Sequence, residues 1–165
     1  MPHTMKRIFF YIAFAIVAIS FTSCLTSEEH STPIIGFSRY LYRDTPAGVH
    51  DSLLYGDTIN VGDTLRGNLL LYGGYNNLTE FTVKVDTADL DLQLLIDSGY
   101  SVFLDTVASK PAQGYLRFAQ DTYIFPTAMR FVPKKTGDLK ISLTLASTAG
   151  ERFSPVNAWF TMPVR

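Results

Sequence analysis

The feature that most constrains this chain is a succession of short apolar runs with period-2 alternation, cut by glycine, asparagine and aspartate. Phe81, Val83 and Val85 share one face of a run whose other face carries Thr82 and Lys84. Ile141, Leu143 and Leu145 alternate in the same way with Ser142 and Thr144. Such alternation belongs to strands with one face on a core and one in water. The same texture predicts strands over Ile34 to Tyr42, Ser52 to Tyr55, Thr64 to Tyr72, Thr79 to Val85 and Leu92 to Ile96. It continues over Ser101 to Leu104, Tyr115 to Phe118, Ala128 to Val132, Leu139 to Ala146 and Ala158 to Val164. Gly56-Asp57, Gly62-Asp63, Gly73-Gly74, Asn76-Asn77, Gly99, Gly137-Asp138 and Gly150 read as the intervening turns. The two Gly-Asp-Thr copies, six residues apart, read as successive tight turns. No apolar pattern at helical spacing persists beyond Cys24, so little helix is expected. Many short strands with turn signals every ~8–12 residues predict an all-β antiparallel sandwich. A length of 165 residues suits one such domain, placed at residues 34–165.

The stretch from Met129 to Leu143 contains Pro133-Lys134-Lys135-Thr136-Gly137 followed by an alternating run. This resembles the penultimate strands of bacterial immunoglobulin-like domains, where a Pro-x-x-x-Gly turn leads into an alternating strand and a last strand closes the sheet. The resemblance covers roughly the final 40 residues and implies an immunoglobulin-like β-sandwich. The chain has one Cys and one Trp, so the Cys-Trp-Cys set of antibody domains is absent. Trp159, in the terminal run, is expected in the core.

The first residues have a different character. Lys6 and Arg7 precede an unbroken apolar stretch from Ile8 to Ile19, and smaller and polar residues lead to Ser23-Cys24. This is the three-part layout of a secretory signal. Twelve helical residues reach about 18 Å, short of the ~30 Å hydrocarbon core, so a permanent membrane span is the weaker reading. Ser20-Phe21-Thr22-Ser23-Cys24 resembles a bacterial lipobox, with Phe21 where Leu is usual. The resemblance implies that residues 1–23 are removed by signal peptidase II and that Cys24 carries the lipid. Acyl chains at ~0.8 kcal/mol per buried methylene then give a lasting membrane anchor. A lone Cys has no internal disulfide partner, which is consistent with a modified residue. Leu25-Thr26-Ser27-Glu28-Glu29-His30 is polar enough for a flexible tether over residues 24–33. Its acidic pair resembles the export signal of surface lipoproteins in the Bacteroidota, which implies lipid anchoring at the outer membrane with exposure at the cell surface; as a plain polar tether it leaves a periplasmic face as the alternative.

Eight of the 11 Asp residues are followed by Ser or Thr, where chance composition gives about two. Five of these pairs, carrying Ser52, Thr58, Thr64, Thr87 and Thr106, resemble the Bacteroidota O-glycosylation pattern, which makes these hydroxyls candidate glycan sites. A structural origin competes: Asp closes turns and β-branched Thr opens strands.

Formal net charge is −1, and without Lys6 and Arg7 twelve basic side chains face fifteen acidic ones. This balance offers no basic footprint for nucleic acid. Beyond Cys24 the histidines are His30, on the tether, and His50, with no metal-ligand spacing around them. No Gly-x-Ser-x-Gly elbow or phosphate-binding loop is present. Asp86, Asp89 and Asp91 form the one acidic cluster, a weak calcium candidate that lacks the EF-hand order and is better read as a strand edge with its polar face in water. Tyr72-Gly73-Gly74-Tyr75 presents two rings that suit stacking on a sugar or peptide. The expectation is a non-catalytic lipoprotein acting as a binding or structural interaction module for an envelope protein or glycan, with no cofactor. The alternatives are a carbohydrate-binding accessory of glycan uptake and a small hydrolase using His50.

Overall fold

The computed structural model of the chain describes residues 31–44, 50–86, 88–119 and 121–165. The signal-like segment, Cys24 and residues 25–30 of the tether lie outside the described residues. Among the described residues nine strands run in order: β1 (Ile34–Asp44), β2 (His50–Leu54), β3 (Thr64–Tyr72), β4 (Leu78–Lys84), β5 (Leu90–Leu95), β6 (Tyr115–Arg117), β7 (Ile124–Pro133), β8 (Gly137–Ser147) and β9 (Val156–Val164). They form a five-stranded sheet ordered β2-β1-β3-β7-β5 and a four-stranded sheet ordered β6-β4-β8-β9. Every strand pair is antiparallel.

The order β1-β3-β7-β5 against β4-β8-β9 reproduces the ABED and CFG sheets of the immunoglobulin arrangement. Two edge strands are added, β2 beside β1 and β6 beside β4. The Pro133-to-Gly137 turn is the point where the chain leaves the first sheet for the second, and Gly137 supplies the positive φ of 126° that this step requires. Residues 59–61 add a further tie. Ile59 N–H donates to the Pro163 carbonyl at 3.0 Å and Arg165 N–H to the Ile59 carbonyl at 2.9 Å. This short parallel pairing covers the end of β9 and buries Ile59 completely.

The core lies between the sheets. Leu41, Leu65, Leu69, Leu71, Leu94, Phe125, Met129 and Phe131 project from one side, and Leu78, Phe81, Val83, Leu116, Ile141, Leu143, Leu145 and Met162 from the other. Each full burial is worth roughly 1.5–3 kcal/mol. At the β2 side the gap is closed by rings: Tyr55 packs edge-on against Phe160 at 5.0 Å and Phe37 at 5.8 Å. Burial pushes the Tyr55 phenol above its ordinary pKa. Gly67 makes room for this phenol, since a Cβ there would lie 2.8 Å from the Tyr55 hydroxyl and from Leu41.

Two expectations fail. Ser101 to Leu104 is not a strand: Ser98–Phe103 forms a 3₁₀ turn. The Asp97 carboxylate accepts the Gly99 N–H at 2.9 Å and Ser101 Oγ donates to the Ser98 carbonyl, so local caps outcompete β propensity there. Trp159 is not in the core but 66% exposed, for reasons given below.

The alternation phase in β8 is testable. Leu143 is fully buried, whereas Thr144 faces outward and donates to Asn157 Oδ1 at 2.8 Å. Leu143→Asp leaves a lone buried charge and is expected to cost several kcal/mol, enough to unfold the domain. Thr144→Asp is expected to cost about 1 kcal/mol or less. Thermal unfolding of the two variants side by side checks this; equal losses would put the phase in error.

Candidate interaction surfaces

The ends of the sandwich differ in chemistry. Where the described chain begins, Ile34, Tyr72 and Ile124 stand side by side on β1, β3 and β7, all on the outer face of the five-stranded sheet. Leu70 is in the next row beside Pro126. Tyr75 on the turn after β3 and Tyr123 just before β7 extend the surface around the rim, 66% and 45% exposed. Past β5, which ends opposite Ala128, the 3₁₀ turn adds Tyr100, Val102 and Phe103. Nine of the fifteen large apolar or aromatic side chains exposed among the described residues therefore belong to this one end.

Here too the chain is fastened at Ser31. Its Oγ accepts the Tyr75 N–H at 3.1 Å, and Asn76 Nδ2 donates to the Ser31 carbonyl at 3.2 Å. Beyond the end of β5, β7 has a strand on one side only, and a groove of about 620 Å³ opens over Pro126 and Ala128. Arg66, Asn68, Leu95 and Tyr100 line it.

The opposite end carries ion pairs. Arg43 bridges Asp51 and Asp63, and hydrogen bonds to both carboxylates raise its pKa. Lys134 pairs with Asp91, and Lys135 with Asp89, which raises the Lys135 pKa. Two members of the acidic cluster are thus each matched to a lysine, while Asp86 accepts the Ala88 N–H at 2.9 Å. Among the described residues no group of three His, Cys, Asp or Glu side chains converges on a metal position.

The Asp-Ser and Asp-Thr pairs sit largely in turns. In Leu54-Tyr55-Gly56-Asp57 the Asp carboxylate accepts the Leu54 N–H at 2.7 Å, and Asp57 N–H returns a bond to the Leu54 carbonyl. Asn60-Val61-Gly62-Asp63 repeats the construction, with both glycines at positive φ. Asp105 accepts N–H groups from Val107 and Ala108. Of the candidate glycan sites, Ser52 on β2 and Thr58 and Thr106 on turns are exposed, and Thr64 at the start of β3 is half-buried. Thr87 lies outside the described residues, as does the side chain of His50.

The outer face of the four-stranded sheet is more polar. Trp159 on β9 stands beside Ser142 on β8, and Thr144 pairs with Asn157 in a neighbouring row. Lys140 Nζ lies 5.4 Å from the centroid of the indole, in reach of a cation–π contact. Inward-facing positions of β9 are Ala158, Phe160, Met162 and Val164, so Trp159 falls on the outward phase with Asn157 and Thr161. The register of β9 sets this phase, and the general tendency of tryptophan to be buried yields to it.

No protein-family model matches the sequence, and no curated protein matches it. Solved structures are similar in fold. A DUF4466 family protein from Parabacteroides merdae matches with 10% identity and a TM-score of 0.48 over 79% of this chain and 43% of that one. The C-terminal domain of the Streptococcus pyogenes antigen I/II-family protein AspA matches with 20% identity and a TM-score of 0.47 over 78% of this chain and 46% of that one. A family 123 glycoside hydrolase from Clostridium perfringens matches with 12% identity and a TM-score of 0.42, covering 82% of this chain and 27% of its own length. The chain spans less than half of each of these structures. The likeness is one of fold.

An exposed Trp159 makes its own prediction. Trp159→Ala is expected to shift stability by about 1 kcal/mol or less, where a buried Trp would cost 3–5 kcal/mol. Emission from this one indole is expected at the wavelength of hydrated tryptophan, open to acrylamide quenching. A multi-kcal loss of stability on substitution would return the ring to the core.

Proposed function

We propose that this chain is a non-catalytic interaction module of a bacterial cell envelope, held by acyl chains on Cys24, with the outer face of its four-stranded sheet as the contact surface. The observation that carries the reading is the position of Trp159. An indole at 66% exposure, on the outer face of a sheet and away from the hydrophobic core, is the residue type that dominates binding energy at interfaces. Its surroundings favour a glycan as the partner. Ser142, Thr144 and Asn157 place hydroxyl and amide groups beside an aromatic plane, the combination that both stacks on a sugar ring and hydrogen-bonds its rim. This shifts the candidate stacking ring from the Tyr72–Tyr75 loop to β9.

Because the chain has one Trp, its emission reports directly on the proposed face. Titration with solubilised envelope polysaccharide is expected to give a saturable blue shift, with Thr144→Ala weakening binding several-fold. Absence of any shift with polysaccharide and with envelope protein fractions would remove the reading. The anchor is tested separately: Cys24→Ser is expected to yield a full-length precursor that takes up no labelled palmitate in the native host. Normal labelling of that variant would overturn the lipid anchor, since no other thiol is present to carry it.

A further inference from the structure

The apolar end of the sandwich and the position of Ser31 support a second reading, which rests on acylation of Cys24. Seven residue steps separate Cys24 from Ser31, and a chain of that length spans at most about 25 Å. Ser31 is itself fixed to the Gly73–Asn76 turn by its bonds with Tyr75 and Asn76. An acylated Cys24 therefore keeps this end within about 25 Å of the bilayer, nearer than any orientation requires of the opposite end. The same end holds most of the exposed aromatic and aliphatic side chains of the described residues, while the ion pairs of Arg43, Lys134 and Lys135 occupy the opposite one.

We propose that this end is a membrane-seating surface, with Tyr72, Tyr75, Tyr123, Ile124 and Ile34 resting in the headgroup layer and the ion-paired end turned away from it. Tyrosine suits that depth, because its ring is apolar and its hydroxyl stays hydrated. Asp97 and Asp121, exposed at the same end, restrict the seat to the headgroup layer, since a carboxylate is costly to take into hydrocarbon. The rings on this end then serve as supports, and the Trp159 face remains clear for its partner.

The test uses the full acylated chain in vesicles of phosphatidylethanolamine and phosphatidylglycerol containing a nitroxide-labelled lipid. Acylation consumes the thiol of Cys24, so an added cysteine is the one site for a bimane fluorophore. Tyr123→Cys and, independently, Tyr75→Cys are compared with Thr136→Cys in the turn between β7 and β8. At least twofold stronger quenching at 123 and 75 than at 136 is expected. Equal quenching at all three positions on chains that float with the vesicles would overturn the proposal. So would an unquenched probe at 123 combined with disulfide cross-linking between Tyr123→Cys chains, which would make a second copy the occupant. A chain that carries no acyl group and does not float would remove the anchor, and the seat with it, a failure distinguishable from the other two by flotation alone.

Discussion

Two sheets facing each other across one layer of side chains leave each strand a single decision, which of its two residue phases points inward. Once Phe81, Val83, Ile141, Leu143 and Leu145 are committed to the interior, their neighbours are committed to water, and a one-residue slip in any strand would exchange the sets. The constraint also governs the surroundings of the core. Gly67 is on an inward position of β3 because the phenol of Tyr55 occupies the volume where a Cβ would be. The parallel contact between residues 59–61 and the end of β9 places Ile59 in the same interior, on the side of β9 away from β8.

Alternation was the most legible part of the sequence, and nine of the ten segments it marked are strands or parts of strands. The tenth failed because Asp97 offers its carboxylate to a nearby N–H, a local bond that short-window β propensity does not weigh. The long-range order of the strands was legible only through the Pro133-to-Gly137 resemblance. The added strands β2 and β6 left no signal that distinguished their partners, since pairing between distant segments depends on which surfaces remain uncovered after the others have packed. Candidate contact residues were readable in part. Tyr75 is exposed as its turn implied. Trp159 was misplaced, although Asn157 and Thr161 on either side share its phase; the mean tendency of tryptophan to be buried is weaker evidence than the register of its own strand.

Aspartate does much of the local organisation. The reciprocal bonds in the Asp57 and Asp63 turns fix two reversals within ten residues, and similar acceptors at Asp86, Asp97 and Asp105 set later ones. A serine or threonine next to such a residue begins or borders the following segment. The Asp members of these pairs thus have a folding role at these positions, and several of the adjoining hydroxyls are on the surface.

β1 starts at the apolar end, immediately after the Ser31 fastening, and runs the length of the five-stranded sheet between β2 and β3. Tension applied through the amino-terminal chain is therefore directed along this strand and not across it. Its five register pairs with β2 and eight with β3 are loaded in shear together, so they must fail collectively, whereas a strand pulled at right angles peels one bond at a time. The bonds of Ser31 to the Gly73–Asn76 turn lie ahead of β1 on that path and yield first, lengthening the chain by a few residues while the sandwich stays whole. The domain is built like a fixture with a short slack leader ahead of a shear-resistant joint.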